Sequence, residues 1–269
     1  KVSFTGSTEV GKAVMRSAAD NVKRLSLELG GNDPAIVLRD VDFDAILDPL
    51  CRGAFTRAGQ ICFAVKRVYF PRERYDEFVD AMRSWLDTFV VGHHLDDGVA
   101  FGPLISKKQV ESVQGLIQRA RMGGATVDEM GSFARPSTAQ DGYYLRPVLV
   151  SNIEHGAELV SCEQFGPVLP LVAYDTIDEA VAMANDSEYG LASSVWGADV
   201  EYAFDVAARL DAGCSFVNSH NVWSLSFDMP FGGVKQSGMG RERTELGLQE
   251  YVEEHAIRWI KPTTSGAHT

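Results

Sequence analysis

Cysteine is scarce in this sequence, and the few cysteines lie far apart. Four occur in 269 residues, and none forms a C-x-x-C pair: Cys51, Cys62, Cys162 and Cys214. This spacing argues against a zinc site and against a disulfide framework, so we predict no metal site. Thiols without partners are typical of a reducing compartment, and we expect a cytoplasmic protein.

Basic residues and long apolar runs are also few. Acidic residues outnumber basic ones by 37 to 25, the net charge is −12, and no basic stripe is present. Nucleic acid is therefore not expected as a partner, because binding to phosphates needs a Lys- and Arg-rich face. Charge or glycine interrupts every apolar run well short of the roughly 20 residues that span a bilayer. No basic region followed by an apolar stretch is present at Lys1. Neither a membrane segment nor a secretory signal is therefore predicted.

The sequence does have ample apolar residues, at 45%, and an alternating pattern of secondary structure. Helices are predicted at residues 7–20, 42–57, 72–89, 106–122, 176–185, 200–210 and 241–251. Strands are predicted at residues 1–5, 25–29, 35–38, 64–70, 143–150, 168–174, 192–196 and 214–218. This alternation predicts an α/β fold in which a mostly parallel twisted sheet is flanked by helices. The Gly-, Ser- and Pro-rich stretch 123–140 is predicted to be a surface excursion.

The segment FTGSTEVG, residues 4–11, has the order strand, glycine, hydroxyl residue, helix. Backbone N–H groups at such a helix start, with Gly6 allowing close approach, favour an anion such as a pyrophosphate. A tight turn with Ser7 as the helix cap explains the same residues. The segment has neither the P-loop lysine nor a G-x-G-x-x-G pattern, so both interpretations stay open here.

Two residues are candidates for chemistry. Glu28 lies in LELGG, where burial would raise its pKa toward that of a general base, although strict strand alternation would turn it to water. Cys62 follows a Gly-Gln turn, where a reactive thiolate would be accessible, although a lone cysteine in an apolar run is more often packed. The other three cysteines are predicted to be packed. The turn before residue 168 carries an acid, Glu163, and an aromatic residue, Phe165.

Five motifs, taken in order, resemble the NAD(P)-dependent aldehyde dehydrogenase superfamily from Val2 to about Lys261. They are "FTGSTEVGK" at 4–12, "LELGGNDPAIV" at 27–37, "GQIC" at 59–62, "EQFGPVLPL" at 163–171 and "MPFGGVKQSGMGRE" at 229–242. The resemblance implies oxidation of an aldehyde to a carboxylic acid with NAD or NADP, NAD being favoured. It also implies that Cys62 is the nucleophile and Glu28 the general base.

Further roles follow from the same resemblance. Cys62 would form a thiohemiacetal whose oxyanion is held partly by its own N–H, hydride would pass to the nicotinamide, and Glu28 would activate the water that hydrolyses the thioester. The implied cofactor contacts are Gly6, Ser7, Gly11, Leu29, Glu163 on the ribose hydroxyls and Phe165 near the nicotinamide. The implied pocket-wall residues are Ile61, Phe63, Leu225 and Phe231.

The resemblance also implies how the chain is divided. Residues 1–30 would be the last part of a dinucleotide-binding domain, 31–240 the catalytic domain, and 241–261 a C-terminal helix and a strand, about 251–260, that extends a neighbouring subunit's sheet. A disordered tail, 262–269, would follow. The implied partners are a small-molecule aldehyde and, in the full-length enzyme, a homo-oligomer (dimer or tetramer). Because the family's oxyanion-hole asparagine and adenosine-side residues have no counterpart here, the chain alone is expected to bind NAD weakly and to be poorly active.

Residues 64–67, AVKR, depart from the Gly-Ser or Gly-Thr that many members carry before the arginine, which leaves substrate preference open. Three alternatives to the hydrolytic dehydrogenase remain. One is a CoA-acylating relative, which the presence of Glu28 disfavours. Another is a non-catalytic, truncated interaction module. The last is a cofactor-independent thiol hydrolase that uses Cys62 and needs a positioned histidine, for which His220 is the candidate.

Overall fold

The structure is a computed structural model that describes residues 1–139 and 142–261. Its helices are α1 (Thr8–Ala19), α2 (Phe43–Phe55), α3 (Tyr75–Leu86), α4 (Lys107–Met122), α5 (Glu158–Ser161), α6 (Ile177–Asn185), α7 (Val200–Ala207) and α8 (Thr244–Gln249). Its strands are β1 (Val2–Thr5), β2 (Leu25–Glu28), β3 (Asp33–Val37), β4 (Val65–Pro71), β5 (Val90–Val91), β6 (Thr126–Glu129), β7 (Ser132–Phe133), β8 (Val148–Ser151), β9 (Val168–Tyr174), β10 (Tyr189–Gly190), β11 (Ala192–Trp196), β12 (Cys214–Val217), β13 (Val234–Lys235) and β14 (Gly238–Met239). Within these described ranges, every helix is too short or too polar to cross a bilayer.

A seven-stranded sheet organises the molecule, in the order β12-β11-β3-β4-β9-β8-β6. Its pairs are parallel except the last, in which β6 runs antiparallel to β8. The central strands β3, β4 and β11 are buried along their whole length, as is required of a parallel sheet covered by helices on both faces. The predicted α/β fold with a mostly parallel sheet is therefore confirmed.

The fold differs from the sequence prediction between residues 123 and 150. The segment 123–140, predicted to be a surface excursion, contributes β6, whose residues pair with β8 from Thr126 opposite Ser151 to Glu129 opposite Val148. The predicted strand 143–150 forms only at its end, as β8. In both cases pairing with a neighbouring strand determines which residues form the strand, and the local sequence pattern does not show that pairing.

The C-terminal strand predicted at 251–260 is not formed in the described part of the chain. Residues 253–261 carry neither strand nor helix, and their side chains are exposed. A strand needs a second strand to accept and donate its hydrogen bonds, and no described segment of this chain pairs with these residues. The tail predicted to be disordered, 262–269, lies outside the described residues.

A smaller sheet, in the order β1-β2-β14, contains the first two strands. β1 and β2 are parallel, with Thr5 opposite Glu28, and β14 runs antiparallel on the other side of β2. Helix α1 packs closely on this sheet at Gly11, where a Cβ would lie 2.5 Å from the Leu29 side chain. The segment predicted to be a separate domain remnant, 1–30, is thus completed by a strand from the distant glycine-rich motif.

The apolar core has two parts. The larger lies on the seven-stranded sheet and includes Phe55, Phe70, Phe78, Met82 and Trp196, all fully buried. The smaller, called here the Phe63 cluster, consists of Phe63, Leu191, Ala192, Cys214, Phe216 and Phe231, with Ile61, Cys62, Leu225 and Met229 packed against it. Cys62 therefore lies at the margin of an apolar cluster and outside the main core.

Candidate active site

The strand topology brings the sequence motifs to one edge of the main sheet. β3, β4 and β9 are neighbouring parallel strands, so the segments that lead into them meet at the same edge. These segments are 28–32, 59–64 and 163–167. Residues predicted from three distant motifs therefore lie close together in space.

Cys62 lies in a tight loop between α2 and β4. The loop enters with three consecutive left-handed residues, 57–59, at φ values of 54°, 57° and 68°. The third is Gly59, and glycine adopts this conformation without steric cost. Gln60 anchors the loop from the other side, because its Oε1 accepts the Ile105 N–H at 2.8 Å. The Gly-Gln pair of the motif thus shapes the turn that carries the thiol.

The Cys62 thiol is half-buried, with carboxylates nearby. Its pKa is raised to about 12, mainly by burial and next by the charge of Asp33. A hydrogen bond from the Phe63 backbone N–H acts in the opposite direction, and Glu28 and Glu163 add to the increase. The thiol is therefore protonated at neutral pH and needs a base before it can attack.

One of the other three cysteines differs in burial from the prediction. Cys51 and Cys214 are buried, as predicted, but Cys162 is exposed. Cys162 directly follows the last residue of α5, where the chain turns toward β9, and its side chain is exposed to solvent there. The prediction that Cys162 is packed was wrong.

Thiol labelling at neutral pH is expected to follow this order of exposure. Cys162 reacts first, Cys62 at least about tenfold more slowly because its thiol is half-buried and protonated, and Cys51 and Cys214 last. Timed alkylation of the folded chain, followed by peptide mass spectrometry, measures all four in one sample. If Cys62 reacts faster than Cys162, the chain alone already holds an activated thiolate, contrary to this expectation.

Glu28 is buried at the end of β2, with 5% of its surface exposed. It does not turn to water because β1 and β14 flank β2 and the segment 231–242 closes over it; a Cβ at Gly232 would lie 2.9 Å from the Glu28 Oε1. Neither carboxylate oxygen has a hydrogen-bond partner among the described residues. Burial raises the pKa of Glu28 to about 7. The charge of Glu242 adds to this increase, and the charge of Arg241 opposes it. Such a carboxylate can accept a proton near neutral pH.

Glu163 and Phe165 lie in a strained turn before β9. The Glu163 Oε1 accepts the Gly31 N–H at 3.1 Å, and burial raises the pKa of this half-buried carboxyl. A Cβ at Gly30 would lie 3.0 Å from the carboxyl carbon, so a side chain there would displace the Glu163 carboxylate. Phe165 has a φ of 49°, and the Gln109 amide holds the turn by donating to the Phe165 carbonyl at 3.0 Å.

Lys66 is a site residue to which the sequence analysis assigned no role. It is 1% exposed, and its Nζ donates to the Gly166 carbonyl at 3.0 Å, which ties β4 to the turn that carries Glu163. Burial lowers the pKa of Lys66 to about 7, while the charges of Glu163 and Asp33 oppose this shift. A lysine in a run of strand residues indicates a buried cation. Its partner, the Gly166 carbonyl, lies 100 residues along the chain, so the local sequence does not identify it.

His220 is fully buried beside the nucleophile loop. Its Nε2 lies 2.8 Å from the Phe63 carbonyl oxygen and 3.3 Å from the Asp33 Oδ2, and its Nδ1 lies 2.8 Å from the Ser194 hydroxyl. Both ring nitrogens are thus occupied by groups other than the Cys62 sulfur. This arrangement disfavours the thiol hydrolase, which needs a histidine as the direct base of the thiol.

The four residues predicted to line a substrate pocket meet around Cys62. Ile61, Phe63, Leu225 and Phe231 all belong to the Phe63 cluster or pack against it. The rings of Phe63 and Phe231 pack edge to face with their centroids 5.6 Å apart. They form an apolar wall beside the thiol, while their contact with a substrate stays a prediction.

The residues predicted to contact the phosphate side lie around the start of α1. Gly6 and Ser7 are exposed, so the first N–H groups of the helix face solvent, and the Ser7 hydroxyl caps the helix by accepting the Val10 N–H at 3.3 Å. Gly11 and Leu29 are buried against each other and fix the helix on β2. The capping turn is present, and the contact with a phosphate stays a prediction.

Comparison with known proteins leads to the same family that the motifs resemble. A model described as "Aldehyde dehydrogenase family" matches residues 1–257. The chain belongs to this family. Its similarity covers the nucleophile loop, the Glu28 strand and the turn of Glu163 together, and so includes every part of the candidate site.

Solved and curated aldehyde dehydrogenases are similar along almost the whole chain. "Aldehyde dehydrogenase, cytosolic 1" of Rattus norvegicus is 39% identical over 254 residues, 94% of this chain and 50% of that protein. The structure of a Mycobacterium tuberculosis aldehyde dehydrogenase with NAD+ has a TM-score of 0.86 at 37% identity, over 92% of this chain and 50% of that one. A mutant of Pseudomonas syringae aldehyde dehydrogenase C, with NAD+ and octanal, has a TM-score of 0.86 at 39% identity, over 93% and 51%. The chain thus spans about half the length of the relatives it matches.

Proposed function

We propose that this chain carries the nucleophile and the base of an NAD(P)-dependent aldehyde dehydrogenase that releases a carboxylic acid. The proposal rests on the position of Glu28, a buried carboxylate in the segment that leads into β3, next to β4, which the Cys62 loop enters. The charge of Glu28 acts on the Cys62 thiol, and the Glu28 carboxylate is buried without a hydrogen-bond partner among the described residues. A buried carboxylate with a pKa of about 7 and free oxygens is suited to moving protons at a neighbouring reacting centre.

In the first step Cys62 adds to the aldehyde. Because its thiol is protonated at neutral pH, the proton passes to solvent as the sulfur bonds to the carbonyl carbon, and the carbonyl oxygen becomes an oxyanion. Backbone N–H groups of the nucleophile loop, that of Cys62 among them, stabilise the oxyanion. The apolar wall of Phe63 and Phe231 excludes water from the carbon chain of the substrate.

The residues present fit a dinucleotide cofactor. The Gly31 N–H binds the Glu163 Oε1, the missing side chain of Gly30 makes room for the carboxylate, and a carboxylate is an acceptor that suits a pair of ribose hydroxyls. Gly6 and Ser7 would bind the phosphates with the exposed N–H groups of α1, and Phe165 would lie near the nicotinamide. NAD+, which is favoured over NADP+, supplies the acceptor for the hydride that leaves the thiohemiacetal carbon.

In the last step Glu28 activates water. The carboxylate takes a proton from the water, the oxygen attacks the thioester carbonyl, and the carbon–sulfur bond breaks to release the acid and the Cys62 thiolate, which takes that proton from Glu28. The burial of Glu28 supports this hydrolytic route over transfer of the acyl group to CoA. We further propose a cytoplasmic homo-oligomer. The exposed apolar residues of the C-terminal segment support such a contact: Ile257, Trp259 and Ile260.

Product analysis tests this function and separates it from its alternatives. The purified chain is incubated with an apolar aldehyde and NAD+, with and without CoA, and NADH and acid are measured in the same sample. We expect slow formation of NADH and acid in equal amounts, unaffected by CoA. Acyl-CoA in place of acid would identify the CoA-acylating alternative. Binding of a full-length relative with neither product would identify an interaction module.

A further inference from the structure

A buried chain of hydrogen bonds runs from the core to the nucleophile loop. The Trp196 Nε1–H donates to the Ser194 Oγ at 2.9 Å, the Ser194 Oγ lies 2.8 Å from the His220 Nδ1, and the His220 Nε2 lies 2.8 Å from the Phe63 carbonyl oxygen. Trp196, Ser194 and His220 are fully buried, so water does not compete for these bonds. The proposed reaction uses none of the three.

The positions of the protons follow from the partners. A carbonyl oxygen only accepts, so the His220 Nε2 carries the proton and donates to Phe63. The Ser194 oxygen accepts from Trp196, which leaves its own proton for the His220 Nδ1. Every donor in the chain then has an acceptor, and the direction of the imidazole ring is determined at both ends.

Phe63 connects this chain to the thiol. Its carbonyl is bound by His220, it directly follows Cys62 in the chain, and its backbone N–H acts to lower the pKa of the Cys62 thiol. We propose that His220 is a positioning residue for the nucleophile: by holding the Phe63 carbonyl, it fixes the backbone that directly follows Cys62. The inference rests on the proposed function only in taking Cys62 as the nucleophile.

His220 can also affect the thiol through Asp33, and this effect has to be distinguished from the effect through the Phe63 backbone. The Asp33 Oδ2 lies 3.3 Å from the His220 Nε2, its Oδ1 accepts the Ala192 N–H at 3.1 Å, and its charge raises the pKa of Cys62. The charge of Arg67 acts on Asp33, and the charges of Glu28 and Glu163 act on the Cys62 thiol. Loss of His220 would change the surroundings of the Asp33 carboxylate, so a clean test removes the charge of Asp33 from both arms.

The test compares His220→Leu with His220→Gln, both in an Asp33→Asn background. The glutamine amide can still donate to the Phe63 carbonyl, whereas leucine fills the space without a donor. The rate at which Cys62 reacts with a small thiol reagent is measured from pH 7 to pH 10 by peptide mass spectrometry, with Cys162 of the same molecule as the internal reference. This readout needs no aldehyde and no cofactor, so it can fail independently of the proposed function.

We expect His220→Leu to slow the reaction of Cys62 by about fivefold to tenfold at a given pH, as an upward shift of its pH profile, and His220→Gln to stay within about twofold. Cys162 keeps its rate in both. Equal profiles for the leucine and glutamine variants would overturn the proposal. If the leucine variant does not fold, Ser194→Ala in the unaltered chain decides. This substitution removes the hydrogen bond at the His220 Nδ1. We expect it to slow the reaction of the Cys62 thiol about twofold to threefold, and an unchanged rate would overturn the proposal.

Discussion

Cys62→Ala abolishes aldehyde-dependent NADH formation, with an expected loss of at least about 10³-fold, because alanine provides no atom that can bond to the carbonyl carbon. The fold should tolerate the change, since Cys62 lies at the margin of the Phe63 cluster, outside the main core. The rate of NADH formation under saturating aldehyde and NAD+ is the measurement. The thermal unfolding midpoint of the variant shows that the loss does not come from unfolding.

Cys162→Ala is the matched control for this result. Cys162 is the exposed thiol of the chain and belongs to none of the segments around Glu28. Its removal should leave NADH formation unchanged. If the Cys62 variant keeps a tenth or more of the activity, or if the Cys162 variant loses as much, the nucleophile has been assigned to the wrong residue.

Glu28→Gln lowers steady-state turnover by about 10²- to 10⁴-fold, because the amide keeps the shape of the side chain but cannot take a proton from water. The pH dependence gives a second signature. The base is the ionised form, and its pKa is about 7, so turnover of the unaltered chain should rise with pH through about 7 and level off above it. The glutamine variant should lack this limb.

Stability changes in the opposite direction from activity in this variant. The pKa of Glu28 is raised in the fold, so the ionised carboxylate is disfavoured there and the chain loses stability as the pH rises from the ordinary glutamate pKa through about 7. Glutamine removes that loss, and the variant should be at least as stable as the unaltered chain above pH 7. A pH limb that survives in Glu28→Gln would assign the base to another group.

Much of the fold was accessible from local patterns. The strands at 168–174 and 192–196 have the predicted bounds, because each is a run of strand-forming residues bounded by turn signals. β6 escaped prediction, since only its pairing with β8 makes that polar segment a strand. The C-terminal segment was predicted as a strand from resemblance, and in the described chain no second strand pairs with it.

The candidate site was predictable in its parts and unpredictable in its connections. Local sequence left open whether Glu28 faced water, and the segment 231–242 that covers it decides the question from two hundred residues away. Lys66 was visible as a charged residue in a strand, and His220 as the histidine that a thiol hydrolase would use. Their acceptors, Gly166 and Phe63, are brought to them by the parallel order of the sheet, which is a property of the whole fold.

The central claim is that Cys62 forms an acyl thioester that Glu28 hydrolyses, and trapping that thioester tests it most directly. The Glu28→Gln chain is incubated with aldehyde and NAD+, quenched in acid and digested, and the cysteine peptides are weighed. We predict that the Cys62 peptide gains the mass of the aldehyde less two hydrogens, only when NAD+ is present, and that the adduct builds up more than in the unaltered chain. The same mass on Cys162, or NADH formed without any adduct on Cys62, would contradict it.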